Sequence, residues 1–157
     1  MKRINKIVMI LFILSLIIIL PVVLYKVEDF TYKPNGLIRE ILDDITPIFD
    51  NTNYKGVLAP LNNRNIMDEI RFYEDDQSYT INKEKVYLCL KDGSGKYYGK
   101  NMIIYVTLHE LAHVICDEIG HTEKFKQIFD ELLYEASTRG IYNPSIPIVQ
   151  NYCPVKT

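Results

Sequence analysis

Histidine is scarce in this chain, with three residues in 157. Cysteine is equally scarce at three, which permits at most one intramolecular disulfide, leaves one thiol over and excludes the paired cysteines of a structural zinc ribbon. Basic runs are missing outside a short flank at Lys2, Arg3 and Lys6, and the formal net charge is −2. That balance lacks the electrostatic footprint of a nucleic-acid binder, so no nucleic acid is expected as a partner. Internal repeats and low-complexity segments are also missing, apart from one apolar run.

That run is the first thing the sequence does have. Ile7 to Tyr25 contains no charged residue, and only Ser15 and Pro21 interrupt its aliphatic side chains. At about 1.5 Å per residue a helix of this length nearly spans a hydrocarbon core of about 30 Å. A cleavable signal peptide has a shorter apolar run and small residues before the cut, whereas Pro21 to Phe30 contains no Ala, Gly or Ser. The reading favours an uncleaved, single-pass signal anchor over a signal peptide. Lys2, Arg3 and Lys6 on one flank, against Lys26 and Lys33 mixed with Glu28 and Asp29 on the other, favour a cytoplasmic N-terminus. The rest of the chain would then lie on the non-cytoplasmic side.

The scarce histidines are concentrated: His109, His113 and His121 fall within thirteen residues, and the first two belong to His109-Glu110-Leu111-Ala112-His113. This is the H-E-x-x-H pattern. Asn101 to Ile119 has no Pro or Gly, and Ile104, Leu108, Leu111 and Ile115 recur as one apolar stripe, which predicts a buried central helix. On that helix His109 and His113 stand one turn apart, able to meet one Zn2+ ion. Continued helix would carry His121 about 12 Å beyond His113, so the helix must stop first. Gly120 is the expected C-cap and Thr122 the N-cap of a second helix, Glu123 to Thr138, with Phe125, Phe129, Leu132 and Ala136 on its core face. The predicted metal ligands are His109, His113 and His121. Glu110 is the candidate catalytic base, because zinc lowers the pKa of bound water and a neighbouring carboxylate can accept its proton. Asp117 reads either as a group orienting an imidazole or as a solvated acid.

The stretch HELAHVICDEIGHTEKFKQIF resembles the small zincin metallopeptidases of the SprT-like and WLM group, where the motif is followed by a third histidine and a phenylalanine. More widely, about Tyr79 to Cys153 resembles small membrane-anchored proteins of that kind encoded by large DNA viruses. The chain departs from SprT-like proteins in having no zinc ribbon, and from WLM proteins in a longer gap between His113 and His121. The resemblance implies an α+β, zincin-like minimal metallopeptidase domain: a small sheet, a central H-E-x-x-H helix and a following helix, preceded by one transmembrane helix. It implies a zinc metallopeptidase, an endopeptidase acting on a protein or peptide substrate. The alternative is a non-catalytic zinc-binding adaptor module on the same scaffold.

The resulting division is a basic flank at 1–6, an anchor at 7–25, a linker at 26–36 and one domain at 37–157, long enough for a single core. Lys85 to Lys91 alternates apolar and polar residues and predicts a strand, equally readable as an ordinary sheet strand or, as the zincin resemblance implies, as an edge strand beside the metal where a peptide could add. Shorter strands are predicted near Ile70 to Tyr73 and Tyr79 to Ile81. Leu37 to Ile45 predicts an amphipathic helix ended or kinked at Pro47, Asn51 to Asn65 a loop, and Tyr142 to Thr157 an extended tail. Cys116 reads as a core thiol.

Overall fold

A computed structural model describes residues 2–50 and 53–153, with backbone alone for 2–5, 26–31 and 63. Lys2, Arg3, Lys26, Glu28 and Asp29, whose charges carry the orientation argument, therefore lie outside the described side chains, as does Met1 of the basic flank. The chain forms two units, 1–33 and 34–157. The first is helix α1 (Lys2–Thr31), of which Lys6–Tyr25 is long and apolar enough to cross a membrane. Its apolar side chains are exposed along this length, and Ser15 turns its hydroxyl back on the Phe12 carbonyl at 2.7 Å. The helix runs to Thr31, so the first part of the expected linker is helical.

The second unit begins with α2 (Gly36–Phe49), opened by Asn35, whose side chain accepts from the Leu37 N–H at 2.8 Å. Ile38, Ile41, Ile45 and Ile48 are fully buried on one face. Pro47 neither ends nor excludes the helix, which continues to Phe49. Apolar burial at Ile48 and Phe49 offsets the one backbone hydrogen bond that proline cannot donate. The segment expected to be loop contains a 3-10 helix, Gly56–Asn63, pinned at its start by Tyr54 and Asn62, which exchange backbone and side-chain hydrogen bonds at 2.8 Å. A short α3 (Ile66–Glu69) leads into the sheet.

The sheet has three strands, β1 (Arg71–Glu74), β2 (Tyr79–Ile81) and β3 (Lys85–Leu88), in the order β1-β3-β2. β1 runs parallel to β3 and β2 antiparallel to it. The β2–β3 hairpin turns on Asn82 and Lys83, both in the left-handed region, closed by Glu84 N–H to the Ile81 carbonyl at 3.0 Å, the geometry that matches strand twist. Register puts Phe72, Val86 and Thr80 in one row across the sheet, and Tyr73, Tyr87 and Tyr79 in the next. The first row holds buried Phe72 and Val86 and ends in Thr80; the second is a stack of tyrosine rings 5.1 and 4.6 Å apart.

Helix α4 (Lys100–Ile115) is buried nearly all round, as its sequence predicts, and packs on α5 (Glu123–Thr138). It ends four residues earlier than expected, at Ile115 rather than Ile119. Cys116 is already extended, with φ −67° and ψ 127°, so Gly120 is not its C-cap. Lys83 donates its ammonium to the Cys116 carbonyl, placing positive charge at the negative pole of the helix. Gly120 serves the following turn instead, at φ +84°.

These features correct the expected zincin-like architecture to an α+β fold with a small sheet and several helices. Of the two readings of this strand, the topology fits the ordinary sheet strand: β3 is shorter than predicted and central, paired on both sides, so no peptide can add to it. Both β3 and β2 pack against α4, and β2 is only three residues long.

Candidate metal centre

The site is built where α4 stops and α5 begins. His109 and His113 project from successive turns of α4, and the chain doubles back through Gly120 so that His121 meets them. Nε2 of His121 lies 3.1 Å from Nε2 of His109 and 3.2 Å from Nε2 of His113. One ligand atom from each of the three residues falls within 4.8 Å of the others. Nitrogens held at about 2.0 to 2.1 Å by a tetrahedral ion stand about 3.3 Å apart, so the spacing fits a common cation.

The donor chemistry fits as well. A neutral imidazole Nε2 either donates one hydrogen or presents one lone pair. His121 therefore cannot satisfy both neighbours by hydrogen bonding, whereas three lone pairs on one cation satisfy all. Burial, then the neighbouring His113 and His121, pushes His109 down to about 4; burial and then His121 lower His113. Both imidazoles are thus neutral at pH 7, the form that ligates metal.

The second helix supplies the seat. Thr122 caps α5 by accepting from the Phe125 N–H at 3.3 Å, which fixes the turn of chain just after His121. Phe125 then stacks on His113 at 4.2 Å and touches His109 and His121 at 5.0 and 4.8 Å, and Phe129 meets His109 edge-on at 5.1 Å. Sequence reading took Phe129 only as core, and Phe125 as core and as the phenylalanine that follows the third histidine in the resembled motif. Asp117 is exposed and paired with Lys124 at 2.6 Å, so it orients no imidazole.

Glu110 departs from its expected role. It is buried, 5% exposed, and its carboxylate accepts from the Thr80 hydroxyl at 2.9 Å, while the same hydroxyl lies 3.2 Å from the Glu110 carbonyl. Burial pushes its carboxyl up to about 7, partly offset by that hydrogen bond. Among the described residues no carboxylate joins the three imidazoles, and Glu110 is held by the sheet rather than aimed by a contact with them. Thr80 was missed in sequence because a polar residue on a short strand carries no signal of what lies across from it.

Beside the triad lies a cavity of about 420 Å³ whose lining includes His109, Glu110, Met102 and Val106 together with Ile148, Tyr152 and Cys153 of the tail. Cys153 is disulfide-bonded to Cys89, and Cys116 is free and buried, in keeping with its reading as a core thiol.

No family model matches the chain, and no solved structure matches it. With the clustered ligands being three histidines and the Glu110 carboxylate tied to Thr80, the SprT-like and WLM assignment, the zincin-like domain and the zinc endopeptidase activity with Glu110 as base are corrected. What stands is a three-histidine cluster capable of coordinating a metal ion, in an α+β unit preceded in sequence by one apolar helix long enough to span a membrane.

Relatives do exist among viral proteins. The chain is 52% identical over 111 residues to uncharacterized protein 136R of Invertebrate iridescent virus 6, covering 69% of this chain and 62% of that protein. It is 40% identical over 98 residues to uncharacterized protein R325 of Acanthamoeba polyphaga mimivirus, covering 58% of this chain and 49% of that protein. It thus spans less than two thirds of the length of these two relatives. A third alignment, 42% identical over 131 residues, covers 80% of this chain and 82% of its partner. On that coverage the chain belongs to the family of uncharacterized protein 042R of Invertebrate iridescent virus 3.

Proposed function

We propose that this protein is a membrane-tethered, non-catalytic zinc-binding adaptor module. The observation that carries the reading is the convergence of three imidazole nitrogens, two from α4 and one from the turn behind it, at spacings a single ion explains and hydrogen bonds do not. Zinc suits an all-imidazole, tetrahedral donor set. His109, His113 and His121 would hold it, and the fourth position falls to a donor from outside the chain. A side chain of a bound protein is the donor an adaptor needs, so metal and partner would be held together. Thr80 and Glu110 form a buried polar contact that locks the sheet against α4 and so fixes the ligand-bearing helix.

The apolar helix supplies the tether. Lys2, Arg3 and Lys6 at one end favour a cytoplasmic N-terminus, which assigns residues 34–157 to the non-cytoplasmic side. A disulfide between Cys89 and Cys153 persists in such an oxidising compartment.

Metal analysis of the full chain in detergent is expected to find stoichiometric zinc, lost on His121→Ala. A broad peptide library is expected to pass through uncut. Cleavage that disappears in Glu110→Gln would overturn the non-catalytic reading, and failure to retain any zinc would overturn the metal site itself.

A further inference from the structure

Among the described residues the tail, Asn143 to Cys153, has no helix or strand, yet it is fastened at both ends. At its start Asn143 and Asn101 exchange hydrogen bonds, the Asn143 N–H to the Asn101 side chain at 2.8 Å and the Asn101 amide to the Asn143 carbonyl at 3.2 Å. Near its far end Tyr152 donates its hydroxyl to the Cys89 carbonyl and lies 3.1 Å from the Ser78 hydroxyl. The Cys153 N–H donates to the Tyr98 hydroxyl at 3.1 Å, and the Tyr98 and Tyr152 rings pack 4.7 Å apart. Between these anchors Ile148 and Val149 form part of the wall of the cavity that His109 and Glu110 also line. The tail is therefore a strap that forms one wall of the cavity reaching His109 of the triad.

Only one of its fastenings is covalent. Cys89 is buried, whereas Cys153 is only partly buried, so Cys153 is the more accessible of the two. The backbone around it is also held in a conformation it would not choose. Asn151 has φ +56°, which asparagine tolerates, but Cys153 has φ +43°, in the left-handed region that is disfavoured for such a residue and persists where surrounding contacts impose it. Releasing the covalent bond removes the strongest of those contacts. The loop it closes spans 64 residues, so the freed tail gains chain entropy as well.

We propose that the Cys89–Cys153 disulfide is a redox latch, and that its reduction frees the strap and opens the cavity beside the metal triad. The co-reactant is an external dithiol. One of its thiolates attacks the more accessible Cys153 sulfur, forming a mixed disulfide and releasing Cys89 as a thiolate that takes up a proton. The second thiol of the reagent then attacks its own sulfur in the mixed disulfide and releases Cys153 as a thiol. Two electrons pass to the protein, the dithiol becomes a cyclic disulfide, and the two protons end on Cys89 and Cys153. The buried Cys116 takes no part.

The gating role rests on the metal reading given above; the latch itself does not. The test uses the full chain in detergent in four forms: oxidised, reduced by a dithiol that is then removed, Cys153→Ser, and Cys116→Ser as a control. Amide hydrogen exchange over residues 145–153 needs no metal and is expected to quicken about tenfold or more on reduction and in Cys153→Ser, with α4 unchanged. Removal of bound Co2+ by a chelator is expected to quicken about tenfold in the same two forms, and Cys116→Ser is expected to respond to reduction like the wild type. Equal exchange in oxidised and reduced chains would overturn the latch, as would exchange that spreads through α4, since the disulfide would then support the whole fold. Faster strap exchange with unaltered Co2+ release would overturn the gating. If no form binds Co2+, the metal reading fails while the exchange data still decide the latch.

Discussion

The wall from which His109 enters the cavity belongs to one stretch of chain, His109 to Phe129, in which helix, turn and helix bring every ligand and both supporting phenyl rings together. The other wall, with Ser78, Tyr152 and Cys153, is tied together from distant pieces: Ser78 before β2, Cys89 and Tyr98 after β3, and Tyr152 and Cys153 of the tail. The first is a local construction resting on a buried core, and the second a non-local one resting on a covalent bond and a few polar contacts. A site built this way can keep its metal geometry rigid while its access changes.

The largest effect that separates the two walls is expected from their apolar supports. Leu108, fully buried beside His109, should cost about 2 to 5 kcal/mol when replaced by alanine, because the cavity left in a packed helix pair collapses only partly. Ile148→Ala, half-buried in the strap, should cost about half of that or less, having less apolar surface to lose. Denaturant midpoints of the two variants decide the matter; equal losses would mean that the strap belongs to the core. Next in size is His121→Ala. Removing one of three ligands should weaken zinc by more than about a hundredfold, beyond the effect usual for residues that merely orient a ligand. Competition with a chelating dye measures it, and an affinity close to wild type would exclude His121 from the site.

The same contrast explains what the sequence disclosed. Helix α5 runs over the residues predicted for it, because Thr122 as cap and the spacing of Phe125, Phe129, Leu132 and Ala136 are local signals. The convergence of the three histidines followed from one geometric requirement, that the helix end before His121. Where it ends was misplaced at Gly120, because the competing influence, Lys83 on the Cys116 carbonyl, comes from a hairpin 33 residues earlier. The central position of β3 was equally hidden: strand order depends on which elements meet in space, and alternation alone cannot report it. Glu110 shows the cost most clearly. Its neighbours in sequence suggested a water-activating base, while its partner Thr80 lies 30 residues away.

Thr122→Ala tests the local wall at smaller amplitude. The hydroxyl satisfies one of the orphan N–H groups of α5, so its loss should cost about 1 kcal/mol. Because the capped turn also sets the direction of His121, zinc affinity should fall with it, and Thr122→Ser should restore both. A stability loss with unchanged affinity would separate the cap from the ligand it precedes.

The smallest expected effect belongs to the non-local wall and depends on pH. Asp92 closes the turn between Cys89 and Tyr98 by accepting from the Ser94 hydroxyl and N–H at 2.6 and 2.8 Å and from the Lys96 N–H at 3.1 Å. The hydroxyl first, then the two amides, hold its carboxyl below the usual 3.8. A carboxyl whose pKa is lower folded than unfolded adds stability that is complete above the unfolded value and disappears as the pH falls through the folded one. Asp92→Asn should therefore lower stability slightly at pH 7, and the gap from wild type should close only below about pH 4. Because this turn also holds the Tyr98 N–H on the Leu90 carbonyl at 2.9 Å, the same variant should quicken hydrogen exchange in the strap that Tyr98 anchors, leaving α4 untouched. A gap that stays constant down to pH 3 would mean that the charge of Asp92 contributes nothing and that the turn is held by its glycines alone.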